Sequence, residues 1–466
     1  MSTNDQTDRQ LYRLIITRGN ATETFLLPDG PGWRLPQVEV CRTRRLAEQL
    51  TTETCKSWNL ETYCLFLSNS ATTPRDPPVE EYAVMEAVQQ NGRAPAGGYW
   101  MTSAAAIRER TLPPDDRTAV THLFQELCRY IASPDSSPFA RPACLRELFN
   151  WVQQQIAPLG LRLTGGFRQF NAGPSFSLIR IETTGPAVWF KATGEPLRRE
   201  LSITTTLARL FPGYVPTLWG VHSRWNGWLT PEIPGSTLDT FVDLSAWARA
   251  AKQLAQLQIA SLEKTSELLQ SECRDLTVEQ LVQQIDPFLS LMSELMPAQK
   301  KPLPAPLTNS ELTMLREQLM GACSLLEKLR LPNTLGHTDF NPGNILLSPG
   351  ACVFLDWAEG CVANPLITLA YLCEYSKRQG FSSSKAAEAI VASYLEPWRP
   401  FGPTAALVEA IAVSPLLAAF AYAVSCNTWS STALQDAKVG GYLRSLTRRM
   451  HREAVSILQG GELCLR

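Results

Sequence analysis

One short segment constrains the fold of this chain more than any other, because Leu335–Asp356 joins two apolar runs to a few polar residues. The apolar runs Ile345–Leu347 and Val353–Leu355 flank the turn sequence Ser348-Pro349-Gly350. This pattern predicts a buried two-stranded hairpin. The polar residues stand just before and just after the hairpin, so we expect it to hold them in a fixed geometry.

The polar residues of this segment are His337, Asp339, Asn344 and Asp356. An Asp in a tight loop can orient an acceptor hydroxyl and receive its proton, while an Asn five residues later can turn its amide oxygen to Mg²⁺. A carboxylate on the next strand completes the metal site. The spacing therefore predicts phosphoryl transfer, with Asp339 as the catalytic residue and Asn344 and Asp356 as metal ligands. The alternative is a buried Asp and Asn that only cap turns.

From about residue 160 onward, this pattern resembles the aminoglycoside phosphotransferase and choline kinase family. The resemblance implies an α+β, bilobal protein-kinase-like fold with a small strand-rich N-lobe and a large helical C-lobe. It implies ATP and Mg²⁺ as cofactors, and it favours loop support over proton transfer for His337. After Asp356, Asn364-Pro365 replaces the family's usual Asp-Pro, and Thr368 replaces a common Asp. Those two departures leave open how the loop is supported.

Further residues of the nucleotide site are expected upstream. Lys191 ends the predicted strand Ala187–Lys191 and resembles the strand lysine that contacts the α- and β-phosphates. Glu200, in the following helical pattern, resembles its ion-pair partner, with Glu195 as the alternative. Taken alone, a lysine at a strand end is usually only solvated, and its place upstream of the catalytic loop favours the functional interpretation.

Two more segments resemble parts of a kinase nucleotide site. Trp228–Gly235 resembles the hinge, in which backbone groups near Glu232 and Ile233 would bind the adenine edge; the alternative is an ordinary turn. Asn171–Ser175, including Gly173 and Ser175, is predicted to cover the phosphates, although it lacks the G-x-G-x-x-G of protein kinases.

The chain order predicts four parts. An extra N-terminal α/β domain covers residues 1–132, a proline-rich linker 133–142, the N-lobe 143–237 and the C-lobe 238–466. Gly32–Pro36 and the helical pattern Leu46–Leu60 faintly resemble a Nudix hydrolase box. Lys56-Ser57 stands where that box needs two glutamates, so we expect no metal site there. An unrelated α/β domain is an equally good interpretation.

Composition bounds the partners. The net charge of −1 over 466 residues makes nucleic acid a poor candidate. From residue 242 onward the sequence has 21 acidic and 19 basic residues, and this near balance argues against a polycationic aminoglycoside as the acceptor. The apolar run Ala410–Val424 is too short to span a bilayer, so we expect a buried helix and no membrane. Scattered cysteines without a C-x-x-C pair, together with the polar segment Met1–Gln10, predict a cytoplasmic protein.

The predicted function is ATP-dependent phosphorylation of a hydroxyl on a small molecule. Two other interpretations remain open from the sequence: a non-catalytic nucleotide-binding regulator, and a kinase acting on a protein side chain. The combined presence of Lys191, Asp339, Asn344 and Asp356 argues against the regulator. The sequence leaves the acceptor and the oligomeric state open.

Overall fold

The computed structural model describes residues 9–68, 81–88, 95–401, 404–425 and 437–459. Residues 1–8, on which part of the predicted cytoplasmic location rests, lie outside the described residues. The chain divides into two compact units: Met1–Leu201 with Leu218–Glu232, and Ser202–Thr217 with Ile233–Arg466. The predicted boundaries at residues 132, 142 and 237 stay predictions.

The first unit begins with a seven-stranded mixed sheet of order β3-β2-β1-β6-β5, in which β4 also pairs with β1 and β7 with β2. The turn after Arg18 joins β1 and β2, which pair antiparallel as a hairpin. The elements are β1 (Arg9–Arg18), β2 (Glu23–Asp29), β3 (Gly32–Arg34), β4 (Gln37–Cys41), α1 (Leu46–Trp58), β5 (Thr62–Leu67), β6 (Glu81–Ala87), β7 (Tyr99–Thr102), α2 (Ser103–Arg108) and α3 (Pro114–Ala132).

A five-stranded antiparallel sheet of order β11-β12-β10-β9-β8 follows in the same unit. Asn171, the first residue of the predicted phosphate cover, is the last residue of a strand rather than part of a loop. The elements are α4 (Cys144–Ile156), β8 (Leu163–Asn171), β9 (Ser177–Thr183), β10 (Val188–Ala192), α5 (Glu200–Leu210), β11 (Gly220–His222) and β12 (Gly227–Pro231), with α5 continuing into the second unit.

One hydrophobic cluster joins the two sheets of the first unit. It contains Leu65 of the seven-stranded sheet, Leu148 of α4 and Ile179 of the five-stranded sheet. Phe139, from the predicted linker 133–142, is also buried in this cluster. Because apolar burial is the main source of folding stability, the two sheets stabilise each other as one core.

The second unit is mainly helical and holds two small three-stranded sheets, β13-β16-β17 and β14-β18-β15. The predicted hairpin is confirmed, since β16 and β17 pair antiparallel around Ser348–Ala351. The elements are β13 (Ser236–Thr237), α6 (Leu244–Ala260), α7 (Thr265–Gln270), β14 (Arg274–Leu276), α8 (Val278–Leu295), α9 (Asn309–Leu329), β15 (Thr334–His337), β16 (Ile345–Ser348), β17 (Ala351–Phe354), β18 (Gly360–Ala363), α10 (Pro365–Arg378), α11 (Ser384–Trp398), α12 (Thr404–Ser425) and α13 (Ala437–Leu458).

Helix α12 carries the apolar run noted in the sequence. Its stretch Leu407–Ser425 has the length and composition to cross a membrane, and 72% of that stretch is buried inside the protein. Pro415 lies within this helix. This stretch is longer than the predicted run Ala410–Val424, so its length does not exclude a membrane span, and burial of most of it is typical of a core helix.

The fold class α+β is confirmed by these elements: a strand-rich first unit is followed by a mainly helical second unit. The predicted strands Ala187–Lys191, Ile345–Leu347 and Val353–Leu355 lie close to the observed strands Val188–Ala192, Ile345–Ser348 and Ala351–Phe354.

Candidate active site

The ring of His337 connects the two ends of the predicted catalytic segment. The backbone N–H of Asp339 donates to His337 Nδ1 at 3.1 Å, and His337 Nε2 lies 2.9 Å from the backbone carbonyl oxygen of Asp356. Nδ1 accepts a hydrogen bond, so it carries no proton, and Nε2–H donates to the Asp356 carbonyl. The imidazole is therefore a neutral bridge that fixes the spacing between Asp339 and Asp356.

Burial lowers the pKa of His337, and the negative charges of Asp356 and Asp339 oppose that shift. The side chain is almost wholly excluded from solvent, as is the ring of Trp357 packed 5.2 Å away. A protonated ring would lose the bond from the Asp339 N–H, because Nδ1 would become a donor. The low pKa thus keeps the bridge intact.

Thr368 provides the support that its sequence position had left open. Its buried hydroxyl accepts a hydrogen bond from the backbone N–H of His337 at 2.9 Å. Nearby, the backbone carbonyl of Glu359 accepts from Thr338 N–H at 3.2 Å, and the Glu359 carboxylate pairs with Arg274. A hydroxyl therefore performs here the accepting role that an Asp could perform.

The predicted metal ligands Asn344 and Asp356 stand at the open end of the β16–β17 hairpin. Leu355 N–H donates to the Asn344 carbonyl at 2.8 Å, which extends the strand pairing by one step. Asp356 then turns into the left-handed region at φ 63°, a conformation that Asp tolerates better than most residues. The hairpin and this turn together bring the two residues to the same end of the sheet.

The donor set at this end fits Mg²⁺. Asn344 and Asp356 offer only oxygen atoms for coordination, which is the chemistry Mg²⁺ prefers. Over the described ranges, no group of three or more His, Cys, Asp or Glu side chains could hold a metal by itself. Few protein ligands are typical of Mg²⁺, which shares its sphere with water and substrate phosphates. The Nδ2 of Asn344 is buried and finds no hydrogen-bond partner within the described residues, so a bound ligand oxygen would satisfy it.

In the first unit, the structure brings Lys191 and Glu200 together. Lys191 Nζ lies 2.5 Å from Glu200 Oε1, and the Glu200 side chain is only 1% exposed. Strand β10 alternates, burying Phe190 and Ala192 on one face and leaving Lys191 on the other. The sequence had weighed Glu195 as the alternative partner, and the observed pair is the one with Glu200.

In the predicted hinge, the N–H and the carboxylate of Glu232 already have hydrogen-bond partners within the protein. The N–H of Glu232 donates to the Ala187 carbonyl at 2.8 Å, so this donor belongs to the sheet. The Glu232 carboxylate is held by Arg180 at 2.6 and 2.8 Å, and this interaction lowers its pKa. In the described part of the chain, no backbone acceptor pairs with the N–H of Ile233. The Glu232 carbonyl and the Ile233 N–H therefore remain as the groups for an adenine edge.

The predicted phosphate cover, Asn171–Ser175, connects β8 to β9. A Cβ at Gly173 would make only an ordinary contact with Phe176 at 3.9 Å, so packing alone does not require glycine there. Gly194, just after β10, is different, because a Cβ at that position would overlap Ser175. The absence of a side chain at Gly194 thus lets Ser175 lie against the turn that follows Lys191.

Sequence reasoning missed two residues that contact the predicted nucleotide-binding groups of the first unit: Arg180 holds Glu232, and Gly194 lies against Ser175. Arg180 and Gly194 gave no motif signal, since an Arg in a strand and a lone Gly in a turn are ordinary.

Known proteins were compared with the chain in three ways. The family model of the phosphotransferase enzyme family (APH) matches residues 167–405, just over half of the chain. None of the curated proteins matches it by sequence. No comparison supports the Nudix resemblance of the N-terminal region, which stays a prediction.

Solved structures that align with the chain include an ethanolamine kinase from Plasmodium vivax, at 14% identity and a TM-score of 0.49, over 72% of this chain and 95% of that chain. A choline kinase from Cryptosporidium parvum aligns at 12% identity and a TM-score of 0.48, over 68% and 98%. A macrolide 2'-phosphotransferase from Brachybacterium faecium aligns at 17% identity and a TM-score of 0.44, over 64% and 97%.

Proposed function

Because the chain belongs to the phosphotransferase enzyme family, we propose that it transfers the γ-phosphoryl group of ATP to a hydroxyl of a small molecule. The observation that carries this proposal is the His337 bridge between the Asp339 N–H and the Asp356 carbonyl. It holds a candidate base and a candidate metal ligand in one rigid frame. Phosphoryl transfer depends mainly on such positioning and on electrostatic stabilisation.

Asp339 orients the acceptor hydroxyl and takes its proton as the oxygen attacks the γ-phosphorus. The bond from that phosphorus to the bridging oxygen of ADP breaks, and the proton rests on the Asp339 carboxylate until solvent removes it. Asn344 and Asp356 are the residues that would hold Mg²⁺, which offsets the negative charge of the phosphates when bound. The neutral His337 takes no part in proton transfer, since both ring nitrogens are engaged in hydrogen bonds with backbone groups.

Nucleotide binding uses the residues of the first unit and of the hinge segment. Lys191, oriented by Glu200, contacts the α- and β-phosphates as a compact cation. The backbone carbonyl of Glu232 and the N–H of Ile233 bind the adenine edge. Gly173 and Ser175 belong to the segment that covers the phosphates. This division gives each predicted residue a separate part in binding ATP.

For the acceptor we expect a small molecule without a high positive charge. The nearly balanced charge of the helical part offers no excess of carboxylates for a polycation. We place the reaction in the cytoplasm, because buried free thiols such as Cys64 and Cys361 suit a reducing compartment. The net charge of −1 makes nucleic acid a poor partner, and we propose no membrane partner.

The test is an ADP-release screen with Mg·ATP and a panel of sugars, amino alcohols, hydroxylated metabolites and aminoglycosides. Wild-type protein should release ADP only when one class of acceptor is present, and the product should carry one phosphate. Asp339→Asn is the matched control, because it removes the carboxylate charge and keeps the shape of the side chain. Acceptor-dependent ADP release that survives in Asp339→Asn would contradict the proposed role of Asp339.

A further inference from the structure

A buried glutamine joins the N-terminal sheet to the predicted phosphate cover. Gln169, on β8, has no exposed surface. Its Oε1 accepts from Cys64 N–H at 2.7 Å, and its Nε2 donates to the Cys64 carbonyl at 2.8 Å. The same Nε2 donates to the Asn171 carbonyl at 3.2 Å. One side-chain amide thus holds the edge of the first sheet and the first residue of Asn171–Ser175.

The position of Cys64 explains why an amide is needed. Strand β5 is the edge strand of the seven-stranded sheet, and its pairing with β6 shifts register between Cys64 and Phe66. An edge strand presents backbone donors and acceptors that have no strand partner. The Gln169 amide carries both a donor and an acceptor, so it pairs with both backbone groups of Cys64 as a neighbouring strand would.

Three further contacts fix the cover segment. Arg45 Nη1, at the start of α1, donates to Asn171 Oδ1 at 3.1 Å. The side chain of Ala172 packs against the core of the seven-stranded sheet. Phe139 N–H donates to the Pro174 carbonyl at 3.1 Å. Together with Gln169, these contacts anchor the segment at Asn171, Ala172 and Pro174, and two of the anchors come from the N-terminal sheet and its helix α1.

We propose that the N-terminal sheet, β1–β7, together with α1 is a positioning element for nucleotide binding, acting on Asn171–Ser175 through Gln169 and Arg45. This inference rests on the proposed function of the site. Neither residue touches the reacting atoms; each acts by holding the cover segment in one conformation. The N-terminal region then serves the transferase reaction without any chemistry of its own.

The expected consequence follows from preorganisation. A segment that is already ordered loses little conformational freedom when it closes on phosphates, whereas a loosened segment must be ordered at the moment of binding. Weakening the anchors should therefore raise the KM for ATP and the dissociation constant for Mg·ATP. The kcat at saturating ATP should change little, because Asp339 and the metal ligands stay in place.

The test compares two glutamines, Gln169 and Gln153, whose side chains make hydrogen bonds near opposite ends of β8. Gln169→Met keeps the approximate volume of the side chain and removes the bonds to Cys64 and Asn171. Gln153→Met is the control, because Gln153 hydrogen-bonds the carbonyl of Leu161, just before β8, and the N–H of Leu163, the first residue of β8. Calorimetric titration with Mg·ATP and steady-state kinetics are measured on the full chain, with thermal unfolding as the check of folding.

Of the three hydrogen bonds lost in Gln169→Met, only the one to the Asn171 carbonyl acts directly on the cover segment, so we expect Mg·ATP binding to weaken by about three- to tenfold, the range for one hydrogen bond. Gln153→Met should leave it unchanged. In the absence of nucleotide, amide hydrogen exchange of residues 171–176 should be faster in Gln169→Met than in wild type or in Gln153→Met. Equal nucleotide affinity and equal exchange in the two variants would overturn the inference.

Arg45 gives a second test that does not depend on a buried residue. Arg45→Met removes the exposed bond to Asn171 and should raise the KM for ATP, and Arg45→Lys, which keeps a donor, should restore it in part. A KM for ATP unchanged in Arg45→Met would also count against the inference. If wild-type protein binds no Mg·ATP, the proposed function itself fails, and the exchange measurement still decides whether Gln169 orders the segment.

Discussion

The ion pair between Lys191 and Glu200 allows a prediction in which stability and function separate. Lys191→Met removes the cation 2.5 Å from a carboxylate that is 1% exposed, whereas the Lys191 side chain itself is 24% exposed. Removing one partner of a buried ion pair lowers the free energy of unfolding by about 3–5 kcal/mol. Because Lys191 is partly exposed, we expect a loss of about 3 kcal/mol. The double variant Lys191→Met/Glu200→Gln should recover about 1–2 kcal/mol, since the buried charge is gone.

The functional loss should be separate from the loss of stability. Lys191→Met should raise the KM for ATP and lower kcat, because the phosphates lose an anchor and a charge that favours the transition state. Lys191→Arg should not restore activity fully, since a planar guanidinium cannot replace a compact ammonium. The double variant should regain stability and remain inactive. Urea unfolding and Mg·ATP kinetics on the same preparations measure the two effects.

The N-terminal sheet offers a matched control for this prediction. Arg13 pairs with Asp116, and the two side chains are 15% and 1% exposed, much like the Lys191–Glu200 pair. Arg13→Met should therefore cost a similar amount of stability and leave the kcat with ATP unchanged. If Lys191→Met lowers stability but leaves Mg·ATP affinity and kcat at wild-type values, Lys191 only neutralises Glu200 and its assignment to the phosphates is wrong.

Three further predictions concern other residues. Asp339→Ala should abolish transfer and keep Mg·ATP affinity, whereas Asp356→Ala should lose both; calorimetric titration compares them, and equal loss of affinity would overturn the two roles. Thr368→Val should lower kcat about tenfold at an unchanged KM for ATP, because the His337 N–H loses its acceptor, and Thr368→Ser should restore kcat; a normal kcat in Thr368→Val would contradict this. Burial raises the pKa of Glu86 above 4.5, so the folded state binds its proton at higher pH than the unfolded state. Glu86→Gln should therefore be more stable than wild type near neutral pH, with an advantage that shrinks as the pH falls toward 4.5; a pH-independent difference in urea midpoint would refute it.

The hairpin Ile345–Phe354 was predictable from sequence because its signals are local. Apolar runs on both sides of Ser348-Pro349-Gly350 leave few structures other than a hairpin, and the pairing of β16 with β17 follows that pattern. The positions of Asn344 and Asp356 follow from the hairpin, because these residues directly precede and follow its paired strands. The predicted strand that ends at Lys191 is also observed, and its alternation leaves Lys191 on the face opposite Phe190 and Ala192.

The remaining features could not be predicted, because they depend on contacts between distant parts of the chain. Gln169 and Cys64 are 105 residues apart, and neither belongs to a motif. Thr368 supports the loop with a hydroxyl, so a search for an acidic residue at that position misses it. The hydrogen bond from the Glu232 N–H to the Ala187 carbonyl depends on strand register, and the hydropathy pattern does not specify register.

The most direct test of the central claim is mass spectrometry of a hydroxylated metabolite library after incubation with Mg·ATP. Wild-type protein should convert one class of compound to a product heavier by one phosphoryl group, with an equal amount of ADP formed. Asp339→Asn, which leaves the His337 bridge in place, should form neither product. ATP hydrolysis without any phosphorylated acceptor, at the same rate in both proteins, would contradict the account.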